Sequence, residues 1–92
     1  DGTILFPDDV YAQTKESLRM IKAALEEVGA SLDDVIKTRM YLKDMSRWEE
    51  AGRAHGEVFS NIRPVTGWIG MSGFFAPGIA AEVEATAIIQ DD

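Results

Sequence analysis

Tyr11, Thr14, Leu18, Ile21, Leu25 and Val28 recur every three or four positions, the spacing of one face of a long amphipathic helix. Pro7, Asp8 and Asp9 precede this run with a stop and acidic N-cap candidates, and Gly29 follows it as a C-cap glycine. After a turn at residues 31–34, VIKTRMYL (35–42) is rich in β-branched and aromatic residues, the composition of a strand. Trp48, Ala51, His55, Val58 and Phe59 mark a second helical stripe, and Ser46 with Glu49 three residues later has the spacing of a capping box. VTGWIGM (65–71) and AAEVEATAII (80–89) predict two more strands, joined by a loop containing Gly73, Pro77 and Gly78. Ahead of the first helix, TILF (3–6) follows the turn dipeptide Asp1-Gly2 and reads as the end of a hairpin whose first arm lies before residue 1. The predicted order is strand, helix, strand, helix, strand, strand, in one α+β domain of 92 residues.

Strand parity sorts these residues into two faces. Ile36, Met40 and Leu42 share one side of the first long strand; Val83, Ala85, Ala87 and Ile89 share one side of the last; Val65, Ile69 and Met71 share one side of the strand between. Two amphipathic helices must cover one face of the sheet, and these apolar sets are expected beneath them. The opposite face then collects Lys37, Arg39, Tyr41, Thr66, Trp68, Glu82 and Glu84. Aromatic residues among complementary charges suit an interface, and a domain of this size buries only about 60–65% of its unfolded surface. Self-association through this face is therefore expected.

Composition narrows the function classes. The chain has no cysteine and a single histidine, which leaves no thiolate or histidine metal site, and no cofactor motif is present. Nine basic against sixteen acidic side chains give a net charge of -7, with no basic cluster to engage a phosphate backbone, so nucleic acid is not an expected partner. Neither a membrane-length apolar run nor a signal-peptide pattern occurs, and the expected location is cytoplasmic. Gly70-Met71-Ser72-Gly73 departs from the G-x-S-x-G elbow at Phe74, leaving Ser72 as a turn residue, and His55 falls on an apolar stripe, where packing explains it. Glu82 and Glu84 lie about 7 Å apart on one strand face. Both an ion-pair network with Lys37 and Arg39 and a general base acting on water fit that placement.

The run DVYAQTKESLRMIKAALEEVGASLDDVIKTRMYLKDMSRWEEAGRAHGEVF, with RP at 63–64 and EVEATAI at 82–88, resembles the Rid family (YjgF, reactive intermediate deaminase), known in older naming as L-PSP endoribonuclease or translation initiation inhibitor. The resemblance implies a chorismate-mutase-like α+β fold, a mixed sheet with two helices on one face, assembled as a homotrimer with small-molecule clefts between subunits. Family members usually begin with an N-terminal β-hairpin, so residues 1–92 are expected to form a single domain without it. Catalytic members hydrolyse enamine or imine intermediates such as 2-aminoacrylate to a 2-oxo acid and ammonia.

Their pattern resembles R-P-x-R, whose second arginine would clamp the substrate carboxylate; here that position is Thr66. The position matching a cleft asparagine is Gly52, while Glu82 retains the glutamate expected near the reacting water. Thr66 and Trp68 are expected to line the pocket, with Arg63 or Arg39 as substitute carboxylate binders. The expected function is binding of a small metabolite without standard deaminase activity; the alternative is an enamine/imine deaminase, and an RNA-directed role ranks last.

Overall fold

The computed structural model describes residues 4–89. Helix α1 spans Val10–Glu27, and the Asp9 carboxylate caps it by accepting the Ala12 amide at 2.9 Å. At the other end the Gly29 amide bonds to Glu26 and the Ala30 amide to Leu25, with Gly29 at φ +82°. This pair of bonds closes the helix in the Schellman manner, which a residue without Cβ permits. A single 3₁₀ turn, Leu32–Asp34, capped reciprocally by Ser31 and Asp34, leads into strand β1, Val35–Leu42.

Helix α2 spans Trp48–Phe59, strand β2 Val65–Gly70 and strand β3 Ala81–Ala87. The strand order is β2-β1-β3, with β2 parallel and β3 antiparallel to the central β1. The mixed sheet and the two helices give the predicted α+β class. Helix α2 is the crossover that a parallel β1–β2 pair requires, and α1 packs on both α2 and β3. Two adjoining clusters form the core between helices and sheet. One holds Val10, Met40, Leu42, Ala51, Ala80 and Ala81; the other holds Leu18, Val35 and Phe59.

Several expectations are corrected. Ile4, Leu5 and Phe6 form no strand, and Thr3 lies outside the described residues. Gln13, which accepts the Ala80 and Ala81 amides at 2.7 and 3.2 Å and donates to Phe6 and Gly78, ties this segment to the loop before β3 instead. Ser46 and Glu49 form no capping box: Asp44 caps a 3₁₀ turn at Met45–Arg47, and α2 begins only at Trp48, without a side-chain cap.

Ile36 does not face the helices. Register against β3 slips between Val35 and Lys37, a bulge that lets buried Val35 and buried Thr38 share the helix side and leaves Ile36 exposed. Ile89 is exposed as well, beyond the end of β3.

The largest correction concerns β2, whose two faces are the reverse of the expected ones. Parallel pairing sets Thr66 beside Thr38 and Trp68 beside Met40, both on the helix side. Val65, 72% exposed, and Ile69 turn to the open face with Lys37 and Tyr41. Both alternating sets on this strand carry a large apolar residue, so hydrophobicity alone does not choose between them. Parallel pairing with β1 sets the choice, and it lays the Trp68 ring against α2 beside Gly52, about 3.8 Å from where a Cβ on that glycine would sit.

Candidate functional site

On the helix side, β1, β2 and α2 converge on a line of polar atoms. His55 Nε2 lies 2.9 Å from Thr38 Oγ1, Thr38 Oγ1 lies 2.9 Å from Thr66 Oγ1, and the Thr66 hydroxyl donates to the Pro64 carbonyl at 3.2 Å. Thr38 is fully buried, and the His55 ring is tilted over Phe59 with centroids 4.8 Å apart. Partial burial holds the His55 pKa below that of a free imidazole, because desolvation disfavours the charged ring. One strand step further, Trp68 meets Trp48 edge to face with centroids 6.4 Å apart, and both rings remain partly exposed.

The other candidate residues lie elsewhere. Arg39 is on the open face, 3.4 Å from Glu84, whose carboxylate also accepts from the Tyr41 hydroxyl at 3.3 Å. Glu82 pairs in register with Tyr41 at the β3 edge and lines two shallow grooves against α1, of about 410 and 330 Å³, both shared with Ser17 and Met20. Neither groove includes Thr66, Trp68, Arg63 or Arg39. Arg63 sits in the connection before β2 at φ +57°, its amide bonded to the Phe59 carbonyl, and it makes no ion pair among the described residues. Within one chain, therefore, Thr66 and Trp68 come together on the helix side, whereas Arg39 and Glu82 share the opposite face on adjacent strands, and only β2, with Thr66 and Trp68, lies across the width of the sheet from Glu82.

Sequence reading missed Thr38 and Gln13, the two polar residues that organise this architecture. Each had a signal: Thr38 is in phase with Met40 and Leu42, and Gln13 lies one helical turn after Val10, on the same face. A polar side chain inside an apolar stripe announces a buried hydrogen-bond partner. Among the described residues no three metal-ligating side chains cluster, and no helix is long and apolar enough to cross a membrane.

Comparison with known proteins gives this geometry a context. The family model described as Endoribonuclease L-PSP matches residues 1–89. The uncharacterized protein SCO2049 of Streptomyces coelicolor is 34% identical over 87 residues, covering 94% of this chain and 65% of its own length. The RutC family protein PYRAB12510 of Pyrococcus abyssi is 43% identical over 56 residues, 61% of this chain and 44% of its own length. This chain thus spans less than two thirds of either relative. The crystal structure of Rv2704 from Mycobacterium tuberculosis, described as a member of the YjgF/YER057c/UK114 family, superposes with a TM-score of 0.87 at 46% identity, covering 89% of this chain and 70% of that one. Sequence, helix–sheet architecture and family model agree, and the chain belongs to the endoribonuclease L-PSP family, the Rid or YjgF family of its solved relatives.

Proposed function

We propose that this protein is a Rid-type subunit that assembles with its own copies through the open sheet face, as a homotrimer, and binds a small metabolite at clefts between subunits without standard deaminase activity. The observation that carries this reading is the hydrogen bonding of Thr66. At the position where the family pattern has its carboxylate-clamping arginine stands a hydroxyl whose single proton goes to Pro64 and whose oxygen is already engaged by Thr38. Exposed Val65 and Ile69, beside the Arg39–Glu84 pair and Tyr41, give the open face the mixed character of an interface.

The deaminase reading keeps one supporting feature, Glu82, exposed at the β3 edge and in no ion pair among the described residues. An RNA-directed role is disfavoured by the net charge of -7. Turnover decides between the first two. Generated in situ, 2-aminoacrylate should release ammonia at the buffer rate in the presence of the protein, and an acceleration proportional to protein concentration would establish the deaminase instead.

A further inference from the structure

The three contacts joining His55, Thr38, Thr66 and Pro64 have a direction. Three hydrogen bonds need three protons, and a carbonyl supplies none. The Thr66 proton must therefore go to Pro64, so Thr66 accepts from Thr38, and Thr38 in turn accepts from His55. Only the Nε2–H form of the ring satisfies all three; the reverse direction leaves the Pro64 contact without a proton. His55 Nδ1 makes no hydrogen bond among the described residues, and none of their side-chain nitrogens is buried without a partner, so Nδ1 faces water. Thr66 is left with one lone pair and no proton.

We propose that His55 is a positioning residue: acting through Thr38, it commits the Thr66 proton to Pro64, so that position 66 can only accept, and the cleft favours ligands presenting a neutral hydroxyl or amide donor there over ligands presenting a carboxylate. The selection rests on the reading of position 66 as part of the ligand cleft; the direction of the wire does not. A carboxylate brought to Thr66 would meet an oxygen lone pair with no proton between them, an unpaired buried contact of the kind that discriminates strongly between ligands. An amide N–H would meet an acceptor, with the exposed Trp68 ring available to its apolar part.

The chain has one histidine, so its ring nitrogens are observable without assignment of others. Long-range proton–nitrogen correlation above the titration range should show the proton on Nε2 in the native protein and in Thr66→Ser, which keeps the hydroxyl. In Thr66→Val the Thr38 proton loses its acceptor and turns to His55 Nε2, moving the ring proton to Nδ1. A native ring protonated on Nδ1, or a Thr66→Val ring still protonated on Nε2, overturns the wire. The selection is read separately with phenylacetamide and phenylacetate at equal concentration. The amide should raise the melting temperature more; an equal or larger shift with the carboxylate, or no shift with either, overturns it. Light scattering on the same samples reports self-association, so a failure of the cleft reading is distinguishable from a failure of the wire.

Discussion

Replacing Gln13 with leucine conserves volume and removes one buried amide, and the structure fixes what that removal exposes. The carbonyls of Phe6 and Gly78 lose the Gln13 donor but keep the amides of Asp9 and Asp8 at 3.0 and 2.8 Å. The Ala80 and Ala81 amides, on residues 6% and 4% exposed, lose the acceptor Oε1. An orphaned buried donor costs about 1–3 kcal/mol, and partial wetting from the adjoining groove lowers the sum for two donors to about 2–4 kcal/mol. Against a typical domain stability of about 5–15 kcal/mol this is a large fraction. Urea unfolding followed by tryptophan fluorescence at fixed protomer concentration should show a lower midpoint at unchanged slope. A change below about 0.5 kcal/mol, the scale of an ordinary surface substitution, would refute the assigned role of Gln13.

Gln13→Glu sharpens the test, because it keeps the acceptor for the two amides but aims its second oxygen at two carbonyls. Only the protonated acid can donate there, so its folded pKa rises above the unfolded value of about 4.3. The stability of this variant is then greatest below that value and is lost as pH rises through the folded pKa.

Two further outcomes follow from the α2–β2 contact. Gly52→Ala should stabilise the protein by about 1 kcal/mol through helix propensity, because the added Cβ would sit in ordinary contact, 3.8 Å from the Trp68 ring and 3.9 Å from Trp48; a lower urea midpoint would mean the rings pack tighter than described. His55, whose folded pKa lies below its unfolded value of about 6.5, binds its proton more readily when unfolded. Its contribution is therefore complete above pH 6.5 and declines as pH falls from there through the folded pKa, a slope that should vanish from unfolding titrations of His55→Gln.

The helices were legible because their signals are local: Asp9 and Gly29 cap α1 where the sequence places them, and its stripe at Leu18, Ile21 and Leu25 faces the core. The existence of β1, β2 and β3 was legible for the same reason, whereas the strand expected over Ile4, Leu5 and Phe6 does not form, and parity placed Met40, Leu42, Val83 and Ala85 on the helix side. Parity cannot tell which of two faces is covered on an edge strand with apolar residues in both sets. At β2 the answer lay on another element, in the parallel register that sets Thr66 beside buried Thr38 and Trp68 beside buried Met40, and at Ile36 it lay in a bulge that shifts the alternation by one residue. The candidate residues were therefore legible as types but not as one constellation. Thr66 and Trp68 sit beneath α2, Arg39 on the far face, and what links the site internally is Thr38, which carries no motif.

The proposed cleft requires copies of this chain to meet, so the mass of the assembly in solution is the most direct test. Light scattering should give three times the 10.1 kDa of one chain, and Ile69→Glu, placing a charge on the open face, should reduce it to one. A native protein that remains at 10.1 kDa at high micromolar concentration would contradict the account.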